Sequence, residues 1–394
     1  MPFVCIIYQD ANPRELGAFM DNATTEIVEY LNGNCKGGDM GRVALTQFHF
    51  VVDEDGDAVP FIGKNGRLGL AELMEKLAEF WPQVVRNGDG QVIAAGRQLS
   101  AVSLDHGGQL VVSIVPLLTL AEVEAEYRNF LFRVEQILKP VDYKLVTCGF
   151  HPSAAVNKLE AVPFAPYQKM EEHMGADAAP LLLGAAHCRA AFEYADEDDA
   201  IRKMRIATML GPVFAYMTSN TPVFDKEGNA DSMLGLKLIR KAAPGVAGAV
   251  EGLFDEGFDF KTYAAWLLEH DLADEHGSQE REMILDVDLA TGVELVQADP
   301  LPVEPMMGYL ALLKGIFYSP VNLELLEMML GYKARPVTKA DIDAAVELVG
   351  SEGGAAKLWG KGVDEWVDLL FRMSSQALGT EAQYLEALQE YQAF

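Results

Sequence analysis

Asp105 flanks the glycine pair Gly107-Gly108 in the stretch SLDHGGQLVVSIVP (103–116), and Glu294 and Asp299 lie either side of a short apolar segment. Carboxylates are hard oxygen donors of the kind magnesium takes in near-octahedral coordination. Each also has a plainer use. An acidic residue beside a turn is commonly just solvated, and Asp299 before Pro300 suits a turn. Gly107-Gly108 suits a bulge or a close backbone approach in a curved sheet. The seven histidines are scattered, and no two have ligand spacing. His187-Cys188 are neighbours on a strand and so face opposite ways, and Cys148 with His151 lacks a four-ligand set, so all four read as structural. The basic cluster Arg202, Lys203 and Arg205 follows an acidic run, which predicts mutual pairing on a solvated helix face.

These residues must be positioned by alternating strand-like and helix-like stretches that show no fixed repeat. An amphipathic helix is expected over 14–31, ending at Asn32-Gly33, with a loop over 34–41. VALTQFHFVVD (43–53) is rich in β-branched and aromatic residues and meets the turn EDGD, which predicts a strand and hairpin. A short helix fits 68–81, and strands fit 91–95 and 101–116. Helices are expected at 119–138, capped by Thr119, and at 197–218, where Asp196 to Asp199 suit the positive end of the helix dipole. From about 338 the chain reads as helix after helix, with capping-box patterns at Thr338/Asp341 and Thr380/Gln383 and a flexible joint at 350–362. This predicts a main unit over 1–330 and a helical subdomain or extension over 331–394.

At 394 residues, half of them apolar, the chain can bury a large core. Its formal charge of −28, from 31 basic against 59 acidic side chains, argues against binding nucleic acid or an anionic membrane through the general field. An anionic ligand such as ATP would need a local basic pocket. Cys5, Cys35, Cys148 and Cys188 form no C-x-x-C pair, and MPFVCIIYQD has none of the features of a secretory signal, so a cytoplasmic protein with free thiols is expected. No apolar run approaches the roughly 18 residues of a membrane span.

Several stretches resemble the plant- and proteobacterial-type glutamate–cysteine ligases, in order, over most of 40–320. SLDHGGQLVVSIVP resembles the family's L-E-P-G-G-Q-F-E-L-S-G-A-P, keeping Leu104, Gly107, Gly108, Gln109, Ser113 and Pro116. TCGFHP (147–152), the segment 198–224, FDEGFDFKTYAAWLL (254–268) and VELVQADPLPVEPMMGYLALLKGIFY (293–318) resemble four further family elements.

The resemblance implies an α+β fold, glutamine-synthetase-like, with a mostly antiparallel sheet curled into a cup and helices outside. It implies ATP-dependent ligation of glutamate to an amine such as cysteine, through an acyl phosphate, with magnesium and ATP as cofactors. Carried over position by position, it implies catalytic roles for Gln109, Arg189 and Glu294, cofactor binding by Gly107, Gly108 and Lys237, and metal ligation by Asp105 and Asp299.

The same carry-over meets departures. Two glutamates of the family's first cup strand fall on Thr46 and Phe48, the second signature glutamate falls on Val111, and an arginine falls on Val296. Arg189 stands where the family has glutamine, and Gly235 stands where a basic residue is expected, with Lys237 two residues on. Strand alternation puts Thr46, Phe48, Phe50 and Val52 on one face, which becomes largely apolar. Aliphatic and aromatic side chains cannot coordinate magnesium. Two readings follow: a ligase with altered metal handling, or a catalytically degenerate relative that needs no cofactor and serves as a small-anion-binding or partner-interaction scaffold. In the second, Arg189 among lost carboxylates makes the face relatively cationic.

Overall fold

A computed structural model of the chain describes residues 13–38, 40–153, 156–221, 231–273 and 275–392. The N-terminal decapeptide, with Cys5, and residues 222–224 of the family-like segment 198–224 lie outside the described residues.

The chain opens with α1 (Pro13–Gly33), followed by β1 (Val43–Val52), α2 (Leu70–Leu77), β2 (Gln83–Arg86), β3 (Val92–Gly96), β4 (Ser100–Leu104) and β5 (Leu110–Leu117). Next come α3 (Leu120–Leu138), β6 (Lys144–Val146), α4 (Ala165–Met174), β7 (Cys188–Phe192), α5 (Glu197–Met217) and α6 (Leu234–Ala242). Then follow α7 (Phe260–Glu269), α8 (Glu275–Ile284), β8 (Val287–Leu289), β9 (Val293–Ala298), α9 (Val303–Phe317) and α10 (Pro320–Leu330). The last elements are α11 (Lys339–Glu352), the hairpin β10 (Lys357–Leu358) and β11 (Lys361–Gly362), α12 (Val363–Ala377) and α13 (Leu385–Gln392).

The fold is α+β, around one sheet ordered β2-β3-β4-β5-β1-β7-β9-β8 with β6 paired to the far end of β1. Its named ladders are antiparallel. Helix starts follow side-chain chemistry. Thr119 accepts the Glu122 N–H while Glu122 reaches back, Asp196 accepts the Asp199 N–H, and Thr338 makes the same box with Asp341.

Four expectations change. The stretch 101–116 is two strands, because Asp105 and Gln109 close a hairpin in which the Asp105 N–H donates to the Gln109 carbonyl at 2.8 Å. The EDGD turn returns the chain for only one bridge, Val52 to Ala58, so β1 finds its partners in β5, β7 and β6. The joint at 350–362 is packed rather than loose: Ala356 and Leu358 are buried, and the Trp359 indole donates to the Met209 carbonyl at 2.9 Å. Residues 379–384 form a 3₁₀ turn in place of a Thr380-capped helix.

One apolar core runs from Leu31 to Leu388 and takes in one face of the central strands. The face of β1 that carries Leu45 and Val51 belongs to it, as do Leu110, Val112 and Ile114 of β5 and Cys188, Ala190 and Phe192 of β7. Helices α3, α5 and α9 pack on this side, and α12 and α13 in turn pack on α9. Those two helices sit so close that a side chain at Gly308 or Gly315 would collide with Leu388 or Ser374.

Candidate functional site

Strand alternation leaves the opposite face of the sheet with its half-buried residues in register. Ala101 pairs with Ser113, Ser113 with Thr46, and Thr46 with Arg189, which makes one transverse row across β4, β5, β1 and β7. One step along, Ala191 pairs with Glu294 of β9. All six are half-buried while their sequence neighbours are mostly buried, so a narrow polar floor crosses five strands. Thr46 and Ser113 join their hydroxyls at 3.1 Å.

Beside this floor lies a small apolar patch of Phe48, Phe50, Val52, Val111, Cys148 and Ala186. Phe48 and Val111 face each other across the β1–β5 ladder. His187 packs against Phe48 and His151 against Phe50, and burial pushes both imidazoles below their usual range, His187 to about 3. The Cys148 thiol bonds to the Phe150 carbonyl and is pushed up to about 12 by burial, so it is no nucleophile at neutral pH. Cys188 points to the other face, against Met306.

The charged residues of the floor gather on Arg189. Its Nη1 donates to Glu282 of α8 at 2.6 Å, and its guanidinium lies 5.3 Å from the centre of the Phe48 ring. Asp105 and Glu294 feel its charge from either side. Burial raises both carboxyls, Glu294 to about 7, and Arg189 opposes that rise. Glu282 pairs with the guanidinium and the charges of Asp105 and Glu294 act on it as well, so its positive charge is opposed by acids rather than standing alone as expected.

Other candidate residues fall elsewhere. Gln109 is fully buried, and its amide nitrogen donates to the carbonyls of Leu182, Leu183 and Ala185 while its oxygen accepts the Gly107 N–H at 2.8 Å. Gly107 lets the Leu183 carbonyl approach, and Gly108 takes φ +80° to turn the hairpin. Asp299 stands apart against Gly149, accepts the Asn220 N–H at 2.8 Å, and is raised to about 7 by burial. Lys237 of α6 is paired with Asp231, which precedes that helix, and lies against Gly350 of α11.

Spare acids do not refill the face. Asp53 and Glu54 pair with Arg67, and Glu193 binds Arg42 through its backbone N–H and guanidinium. Lys203 departs from the solvated face expected for its cluster: it is buried, donating to Asp199 and to the Glu193 carbonyl at 2.8 Å. Among the described residues no three His, Cys, Asp or Glu side chains converge as a metal site. Without such a converging set, and with Glu282 bonded to Arg189, the residues present do not fit a magnesium ion.

Glu282 and Asp288 are the residues that the sequence pattern missed. Asp288 is opposite Glu294 in register and is held by Arg281 and Tyr263. The alternation Asp286, Asp288 in a short strand was its one visible signal; Glu282 had none, because only the packing of α8 brings it to β7.

Four of the five strands that carry this floor, and the end of β1, fall within one family match. The model of "Glutamate-cysteine ligase family 2(GCS2)" matches residues 50–301. The chain belongs to the glutamate–cysteine ligase family. The chloroplastic glutamate–cysteine ligase of Nicotiana tabacum is 24% identical over 249 residues, 62% of this chain and 46% of that protein. Glutamate–cysteine ligase A of Oryza sativa subsp. japonica, also chloroplastic, is 25% identical over 251 residues, 62% of this chain and 49% of that protein. The chain thus spans about half the length of the curated relatives it matches. Among solved structures, a bifunctional glutathione synthetase from Pasteurella multocida aligns over 95% of this chain and 48% of its own, at 12% identity and a TM-score of 0.47.

Proposed function

We propose that this family member holds the substrates of γ-glutamyl ligation, a glutamate-type carboxylate and an amine, on the Thr46–Arg189–Glu294 floor without magnesium-dependent phosphoryl transfer. The observation that carries this reading is the apolar pair Phe48–Val111, at positions where the resemblance calls for carboxylates, next to a floor whose Arg189 is paired with Glu282. Transfer from ATP needs a metal ion to neutralise charge on the phosphoryl group, and that ion needs converging oxygen ligands. Here a glutamate-like ligand meets Arg189 for its carboxylate and Asp105 or Glu294 for its amine. Calorimetry with L-glutamate in EDTA is expected to give saturable binding, and ADP release with glutamate plus a panel of amines is expected to stay at background. Absence of glutamate binding, or ADP release that follows enzyme concentration, overturns the reading.

A second reading, an active ATP-dependent carboxylate–amine ligase, is supported by the family match across 50–301 and by Asp105 and Glu294, which keep carboxylates on the floor. Its mark would be ADP and a γ-glutamyl amide formed in equal amounts.

A further inference from the structure

We infer that Arg189 is a carboxylate receptor that works without a metal ion, and that the Glu282 side chain occupies it in competition with the ligand. The inference rests on the binding reading above and names the group that carries it. Arg189 makes one hydrogen bond to a carboxylate, from Nη1 to Glu282. Its Nε is buried with no acceptor, and a buried donor left without a partner is costly. The Nε–Nη2 edge is the fork that matches a planar carboxylate with two parallel bonds. That edge is the unused part of the side chain.

Glu282 is suited to leave. Its side chain is 38% exposed where that of Arg189 is 11%, so the acid can swing into solvent while the guanidinium stays over Phe48. Its departure frees Nη1 and removes the competing carboxylate from the guanidinium that carries the unused Nε–Nη2 edge. The replacement is a carboxylate for a carboxylate, and no net charge is gained. A phosphate dianion would place both its charges on the group beside Asp105 and Glu294, whereas a carboxylate places one there, so the local charge favours a carboxylate group. The guanidinium here supplies the fixed positive charge that a divalent ion supplies elsewhere in such chemistry, and it stands in the row with Thr46 and Ser113 where an ion would need ligands.

The test follows the Nε–H resonance of ¹⁵N-labelled protein, assigned by its loss in Arg189→Lys, during titration with glutarate and with inorganic phosphate in excess EDTA. Glutarate is expected to shift that resonance saturably, with the same affinity when magnesium replaces EDTA, and phosphate is expected to leave it in place. Glu282→Gln removes the competitor and should tighten glutarate binding up to about fivefold, the range of a partly exposed ion pair. Arg189→Lys, which lacks the fork, should weaken it at least about tenfold. Should Arg189→Lys not fold, the glutarate affinity of Glu282→Gln against wild type, read by calorimetry in EDTA, still decides. A shift that requires magnesium, a preference for phosphate, or unchanged or weaker binding in Glu282→Gln overturns the inference. Glutamate binding that leaves the Nε–H unmoved would overturn it while the binding reading survives, and glutarate binding at Arg189 without glutamate binding would do the reverse.

Discussion

Arg189 and Glu282 meet at 2.6 Å although 93 residues separate them, one on an inner strand and the other on a helix that reaches over the sheet. Around this pair the floor keeps its charges, no three metal-ligating side chains converge among the described residues, and several outcomes follow.

Magnesium and ATP should not stabilise the protein. A ligand that binds only the folded state raises the melting temperature in proportion to the logarithm of its concentration over Kd. Thermal melts with millimolar magnesium and ATP are expected to match melts in EDTA, and an upward shift of several degrees would restore the metal-dependent ligase.

Acidification should stabilise the protein between neutral pH and about pH 5. Burial raises Glu294 and Asp299 to about 7, so across this window the folded state binds protons that the unfolded state, with ordinary carboxyls, does not. Stability contributed by these groups therefore rises as pH falls through 7 and levels off below the unfolded values. Melting temperature against pH measures this, and Glu294→Gln should flatten the slope. A slope unchanged in both Glu294→Gln and Asp299→Asn would refute the assignment.

Gln109→Leu should cost stability rather than chemistry. The substitution strands the carbonyls of Leu182 and Ala185 and the Gly107 N–H in a buried site, for roughly 2–3 kcal/mol. Urea unfolding would report it, with ligand affinity kept in the folded fraction. A loss of affinity at full stability would return Gln109 to a direct role.

Lys203→Met should cost about 3 kcal/mol, because it leaves Asp199 and the Glu193 carbonyl without their shared donor at a buried position. A change below about 0.5 kcal/mol would show that the pair stabilises the fold little.

Much of the scaffold was legible along the chain. Capping chemistry at Thr119, Asp196 and Thr338 marks helix starts because it is local, and β-branched runs mark β1 and β5 for the same reason. Strand alternation also put Thr46, Phe48, Phe50 and Val52 on one face before any strand was paired. Pattern failed where one turn had to be told from continuous strand: Gly107-Gly108 reads equally as a bulge, and only the Asp105–Gln109 closure makes it a hairpin. It failed again at 350–362, whose small and glycine-rich composition hides the packing of Leu358 and Trp359.

The sequence by itself determined the family, the strand faces and the apolar residues at Phe48 and Val111, since residue identity and a two-residue period need no partner. Only the tertiary structure decided what the charged residues do. Gln109 became a staple, Asp299 was set apart, Lys203 was buried, and Glu282 was brought to Arg189, because charge pairing depends on distances through space that no local pattern encodes.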